Sequence, residues 1–245
     1  MPARRKWTPT DDGRPEKSVA DALEERRLQA ALASGGTSTA NVHLALLSRA
    51  LEIGLSGDVL DFGAGTGELA ARLAASGLML RLTAIDLVPP PSVNGEGVTW
   101  LQADLNGPVP LPAESFDAIV SAEVIEHLEN PRAVFREFNR LLRPRGYLML
   151  TTPNQESLRS LASLAVRGHF VDFLDGSYPA HITALVRRDF ARIAAETGFE
   201  PPTFSYTAAG AVPAFPRVSW QDLSFGRLRG RRFSDNLIVA TLKTA

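Results

Sequence analysis

"DFGAGTGELA", residues 61–70, is the stretch from which the rest of the chain is read. Gly63, Gly65 and Gly67 stand at alternate positions between an apolar run and a helix-forming one. Their missing β-carbons let a strand bend sharply into a helix and let a ligand approach the exposed amides at the helix start. The spacing is G-x-G-x-G, one residue short of the G-x-G-x-x-G dinucleotide fingerprint, so the loop alone has the form of a nucleotide site without naming its ligand.

Outward from this loop the pattern alternates strand and helix. "DVLDFG" (58–63), "LRLTAIDL" (80–87), "VTWLQADL" (98–105), "FDAIVSAEV" (116–124) and "GYLMLTT" (146–152) read as strands, and "PTFSYT" (202–207) and "NLIVATLK" (236–243) close the series. Helices are predicted over Val19–Ala33, Ala40–Ile53, Gly67–Ser76 and Val186–Thr197. Another is capped by Asn130, opens with Pro131 and carries the stripe Val134, Phe138, Leu141.

The fold expected is an α/β, doubly wound, mostly parallel seven-stranded Rossmann-like sheet with N-terminal helices. Residues 1–17 read as a disordered arm, 18–57 as the N-terminal helices and 58–245 as the main domain. Two stretches depart from simple alternation. "VPPPSVNGEG" (88–97) is short for a helical crossover and holds three prolines. Residues 153–183, with Phe170, Phe173 and Tyr178, form an insertion of the kind that covers active sites.

Hydrophobic residues make up 44% of the 245 and charged residues 22%, an ordinary globular composition. With 26 basic and 27 acidic side chains the net charge is -1, which gives no overall footprint for nucleic acid. The basic run of Arg227, Arg229, Arg231 and Arg232 reads as a solvated face. There are no cysteines, so disulfides, thiolate metal sites and cysteine nucleophiles are excluded. "MPARRKW" is followed by Pro, Asp and Gly rather than an apolar stretch, and no run is long enough to span a bilayer, so the expected location is cytoplasmic.

Acidic residues recur at the carboxyl ends of successive strands: Asp61, Asp86 and Asp104. In a doubly wound sheet ligands bind beyond those ends, so the three can line one crevice. Asp86 can accept from both ribose hydroxyls, and Asp104 from an adenine amino group. Taken singly, Asp86 or Asp104 equally well ends a strand or begins a turn.

"VLDFGAGTGELA", "AIDL", "QADL" and "FDAIVSAEVIEHLENP", followed by "LLRPRGYLMLTTPN", resemble in order the motifs of the class I S-adenosylmethionine-dependent methyltransferases, over about residues 58–200. The resemblance implies that Asp61, Gly63, Ala64, Gly65 and Gly67 surround the methionine part of S-adenosyl-L-methionine. It implies that Asp86 with Leu87 meets the ribose, that Asp104 and the Leu105 backbone meet the adenine, and that Glu123 faces the same crevice. It specifies fold and cofactor, and leaves the acceptor open.

Of the four histidines, His43 and His169 read as core or surface residues. "EVIEH" (123–127) sets Glu123 and His127 four apart, on one face if the segment is helical, and His127 is the candidate acid/base group toward substrate. In the ubiquinone-pathway and RNA-terminal 2′-O-methyltransferase branches that it resembles, a similar E-x-x-E-H with a later His accompanies a divalent metal. Glu123, Glu126, His127 and His181 are therefore the candidate ligands. The motif also occurs widely without metal, so none is assigned.

The function expected is methyl transfer to a small-molecule acceptor, at oxygen, without nucleic acid or a membrane span. The alternatives are a metal-assisted RNA 2′-O-methyltransferase, a noncatalytic nucleotide-binding module and, fitting the loop spacing poorly, an NAD-linked oxidoreductase.

Overall fold

The computed structural model describes residues 19–33, 38–89 and 97–245. The arm expected over 1–17 and most of the 88–97 link lie outside those residues.

In chain order the elements are α1 (Val19–Ala33), α2 (Ala40–Glu52), β1 (Gly57–Phe62), α3 (Glu68–Ala74), β2 (Leu80–Asp86), β3 (Val98–Gln102) and β4 (Phe116–Ala122). There follow α4 (Pro131–Leu141), β5 (Leu142–Pro153), α5 (Leu158–Arg167), α6 (Arg187–Glu196) and β6 (Thr203–Tyr206). A hairpin of β7 (Ala211–Val212) and β8 (Phe215–Ser219), then α7 (Trp220–Leu223) and β9 (Asn236–Leu242), complete the chain.

Seven strands form one sheet in the order β3-β2-β1-β4-β5-β9-β6. β1 to β5 run parallel, and β9 lies antiparallel to both β5 and β6. The expected doubly wound sheet is thus present, with the order reversing between β1 and β4.

Strand alternation sorts the core into two layers. Leu60, Phe62, Ile119, Leu148 and Leu150 face α4 and α6, where Phe135, Phe138 and Phe190 are almost fully enclosed. Val59, Ala118, Val120 and Met149 face the other way, against Val42 and Leu46 of α2 and Leu69 and Leu73 of α3. Each enclosed phenylalanine stabilises the fold by roughly 1.5–3 kcal/mol. α4 begins as its sequence predicts: the Asn130 side chain accepts from Ala133 N at 3.1 Å, and Pro131 fills the first turn.

Several boundaries differ from the expectation. β3 stops at Gln102, three residues before Leu105, because Asp104 Oδ1 accepts from Asn106 N at 2.9 Å and turns the chain. β5 starts at Leu142, earlier than "GYLMLTT", since Leu142 pairs with Phe116 ahead of an irregularity that ends at the Ala118 and Tyr147 pair. "RPRG" therefore makes an irregular strand start with Arg145 at φ 65°. Among the described residues no helix is long and apolar enough to cross a membrane.

Candidate functional site

A cavity of about 630 Å³ opens beyond the carboxyl ends of β1, β2 and β4. Its floor is the glycine loop. Gly63 N and Ala64 N both donate to Ile85 O, at 2.8 and 3.1 Å, which folds the loop back over β2. Gly63, Gly65 and Gly67 all have positive φ, of 83°, 52° and 80°, which explains their alternate spacing. A β-carbon on Gly63 would meet Val124 Cγ2 at 2.2 Å, so close approach as well as conformation demands glycine there. Gly67 does not line the cavity; it is the N-cap of α3.

Asp61 lies beneath this loop, 1% exposed, and neither carboxylate oxygen makes a well-formed hydrogen bond, the Ala70 amide being the one backbone donor that acts on it. Burial, with the charge of Asp86 adding to it, pushes its pKa up to about 7. A buried carboxyl lining a cavity with both oxygens unmatched fits a cationic ligand group, as the ammonium of the expected cofactor would supply. Asp86 accepts from Gly65 N through Oδ2 at 2.7 Å and from Val88 N through Oδ1 at 2.8 Å. These bonds orient it, and each oxygen keeps a lone pair for a ribose hydroxyl.

Asp104 is more occupied. Its Oδ1 accepts from Asn106, and its Oδ2 accepts from the guanidinium of Arg27 on α1. The same guanidinium reaches Glu129 Oε1 at 2.8 Å, so α1 is tied across the mouth of the cavity. Leu87 and Leu105 line the wall between Asp86 and Asp104.

At the opposite end stands "EVIEH". Glu123 turns the chain after β4 at φ 56°, unusual for a residue with a β-carbon and a mark of local strain at a site. The following Ile125–His127 segment is a single 3-10 turn rather than the start of a longer helix, so Glu123 and His127 are placed by that strained turn and share no helical face. Asn236 Nδ2, at the start of β9, donates to Glu123 Oε2 at 2.8 Å, while Glu123 Oε1 is buried without a partner.

His181 is brought to this place by backbone pairing. Ile182 N and Thr183 N donate to Glu126 O at 3.0 and 2.9 Å, pinning the segment that leads into α6 against the turn. The rings of His127 and His181 are then 4.7 Å apart, edge to face. Glu126, His127 and His181 offer ligand atoms all within 4.8 Å of one another, and Glu123 is not part of that set. Glu126 Oε1 and His181 Nδ1 are buried and unpartnered. The residues therefore fit a divalent cation in both donor type and unmet bonding.

Burial raises the pKa of Glu126, with the charge of Glu123 adding to it. Burial lowers that of His127, opposed by the Ala180 carbonyl and reinforced by His181. His127 Nδ1 lies 2.8 Å from Ala180 O; it carries the proton and donates, leaving Nε2 with its lone pair.

Four contributors escape a reading of the sequence. His43, taken there as core or surface, is buried, lines the cavity from α2 and has Glu68 Oε2 3.7 Å from its Nδ1. Arg27 lines the cavity from α1, Asn236 at the start of β9 holds Glu123, and Asp172, after α5, acts on Glu123 and Glu126 through its charge. Burial raises the Asp172 carboxyl, with Arg159 and His181 opposing. No motif marks any of the four, because packing between distant elements places them. His169 stays local, its Nδ1 3.1 Å from Phe170 O.

The sequence model of a methyltransferase-domain family matches residues 26–202. A ubiquinone biosynthesis O-methyltransferase of Xanthomonas oryzae pv. oryzae is 34% identical over 148 residues, covering 53% of this chain and 60% of that protein. An uncharacterized methyltransferase of Mycobacterium bovis is 35% identical over 128 residues, covering 49% and 63%. The chain thus spans about 60% of the length of the curated relatives it matches. Among solved structures, an S-adenosylmethionine-dependent methyltransferase from Archaeoglobus fulgidus superposes with a TM-score of 0.57 at 16% identity, over 92% of this chain and 100% of that one. A phosphoethanolamine N-methyltransferase of Haemonchus contortus, in complex with S-adenosylmethionine, gives 0.54 at 18%, over 84% and 53%. At such identities the structures speak for the fold alone.

Proposed function

The chain belongs to the methyltransferase-domain family, within the class I S-adenosylmethionine-dependent superfamily, and from that premise we propose that it methylates a hydroxyl oxygen of a small organic acceptor. S-adenosylmethionine, when bound, supplies a sulfonium-activated methyl group that needs only an aligned nucleophile. Asp61 would hold the ammonium, the Gly63–Gly65 amides the rest of the methionine part, and Asp86 the ribose. Asp104 would take the adenine amino group by sharing its carboxylate with Arg27.

The observation that carries oxygen as the acceptor atom is the half-buried His127, whose Nδ1 donates to Ala180 O and whose Nε2 therefore keeps its lone pair. A hydroxyl must shed its proton as it attacks, and a neutral imidazole at the cavity wall suits that task. Residues 153–183 would act as a lid, with Tyr178, Pro179 and His181 closing the acceptor side. The O-methyltransferase activity of the Xanthomonas relative supports the same reading.

The test is product formation from labelled S-adenosylmethionine with a panel of phenols, catechols, primary amines and short RNAs. Methylated phenol or catechol supports the reading. Transfer to amines alone, or no binding of S-adenosylhomocysteine in titration calorimetry, removes it.

A second reading is favoured by the triangle of Glu126, His127 and His181. In it these three side chains would hold a divalent cation, whose charge lowers the pKa of a bound hydroxyl, and His127 would be a ligand rather than the base. The same ligand set would suit a 2′-hydroxyl at an RNA end. Activity that disappears with a chelator and returns with magnesium or manganese selects this reading, and the panel separates catechol from RNA.

A further inference from the structure

Residues 211–233 build a small unit outside the seven-stranded sheet. Its inner side is well anchored: the rings of Trp220 and Phe233 meet edge to face at 5.5 Å. Gln221 Nε2 donates to Leu228 O at 2.7 Å and to Phe233 O at 2.9 Å, and Gln221 Oε1 accepts from Gly210 N at 2.9 Å.

Three of the unit's large apolar side chains are exposed. Phe215 is 65% exposed, Leu223 59% and Phe225 93%. Phe225 also has φ 52°, in the left-handed region that side chains rarely adopt, and Gly226 follows at φ 76°. A tight turn thus displays a whole phenyl ring to solvent at a conformational cost, which folding in water does not reward.

The unit is also basic. The unit carries Arg217, Arg227, Arg229, Arg231 and Arg232 against the single acid Asp222, in a chain of net charge -1. Asp222 is taken up by Ser219, whose N and Oγ both donate to it. Arg231 and Arg232 point back to Glu156. Among the described residues Arg217, Arg227 and Arg229 have no ion pair, and Arg229 Nε donates only to Gly226 O.

We infer that this unit is a docking surface for an anionic lipid bilayer. Leu223 and Phe225 enter the headgroup region, and Arg217, Arg227 and Arg229 meet the acidic headgroups. Lipid is favoured over nucleic acid because Leu223 offers no face for base stacking and the arginines flank a protruding turn rather than line a groove. The chain runs on from Phe233 to Asn236, the residue that holds Glu123, so a docked bilayer lies a few residues from the acceptor side.

The test sediments the full chain with vesicles of phosphatidylcholine alone and of phosphatidylcholine mixed with phosphatidylglycerol. The full chain is expected to bind the mixed vesicles, to ignore the neutral ones and to be released by salt. Phe225→Gly is expected to lower binding at least fivefold and to melt no lower than wild type, since glycine adopts φ 52° readily. Arg227→Gln with Arg229→Gln is expected to lower it by roughly 25-fold, at roughly fivefold for each arginine. No binding to the mixed vesicles overturns the inference. So does wild-type binding by Phe225→Gly, or capture of an RNA oligonucleotide in place of the vesicles.

Discussion

Replacing Asp61 with Asn keeps the shape of a fully buried side chain and removes its charge. In the unfolded chain this carboxyl titrates near 3.8, and in the fold at about 7. Between those values the folded form keeps a proton that the unfolded form gives up. The stability tied to this group is therefore complete below 3.8, falls as the pH rises toward 7, and stays low above it. At 1.36 kcal/mol per pH unit, the gap between 3.8 and about 7 amounts to about 4 kcal/mol. Asn escapes that loss but keeps two buried polar atoms in need of partners, which takes back roughly 1–3 kcal/mol at every pH. That cost cancels between two pH values, so urea unfolding of the ligand-free protein should show Asp61→Asn gaining on wild type by about 3 kcal/mol from pH 5 to pH 8, the two units between 5 and about 7 at 1.36 kcal/mol each. Over the same comparison its affinity for S-adenosylhomocysteine should drop by about tenfold or more, ~1.4 kcal/mol, because the ammonium loses its countercharge. Wild type binding that ligand at pH 6 should release a proton, visible as a calorimetric heat that varies with the buffer. An equal stability difference at pH 5 and pH 8, together with unchanged affinity, would refute the reasoning.

Gly63→Ala forces a methyl group against Val124 at a backbone angle suited to glycine, and is expected to lower the melting temperature and weaken S-adenosylhomocysteine binding at least tenfold, by ~1.4 kcal/mol. Asn236→Ala leaves both oxygens of Glu123 without a side-chain amide donor and should cost about 1–3 kcal/mol in denaturant unfolding. Glu137→Ala breaks a knot in which its Oε1 accepts from Val109 N at 2.9 Å and its Oε2 from Arg140 Nε at 2.8 Å; the Val109 amide is left without its partner, the loop before β4 loosens from α4, and the cost is about 1–3 kcal/mol by the same measurement. If the cation reading holds, manganese raises the melting temperature of wild type and leaves that of His181→Ala unmoved.

The parallel sheet was legible because its central strands β1 and β4 are buried on both faces and write themselves as apolar runs, and because β1 and β2 each close on an acid, Asp61 and Asp86. The glycine loop was legible because three positive φ angles in five residues leave glycine as the ready choice. The β7–β8 hairpin was not, since it is short, half exposed and shows no alternation. The early start of β5 was hidden by Pro144 and Gly146, which read as a helix stop yet serve an irregular strand edge. "EVIEH" announced its chemistry but not its geometry: only the turn at Glu123 and the pairing of Ile182 and Thr183 with Glu126 decide which side chains meet. Arg27 and His43 reach the cavity through the way α1 and α2 lie over the sheet, a relation that no local spacing encodes.

The place of β9 bears on how the molecule is made. Roughly 80 residues separate the end of β5 from Asn236, and at ~5–20 residues per second a ribosome needs on the order of 4–16 s to deliver them. During that interval β1 to β5 can pair, but the free edge of β5, with Leu148, Met149 and Leu150, has no neighbour. Such an edge invites strand addition from other nascent chains. The yield of soluble enzyme in a cell should therefore respond to chaperone supply and to translation speed across 154–235, while the finished protein, once β9 is inserted between β5 and β6, is indifferent to both.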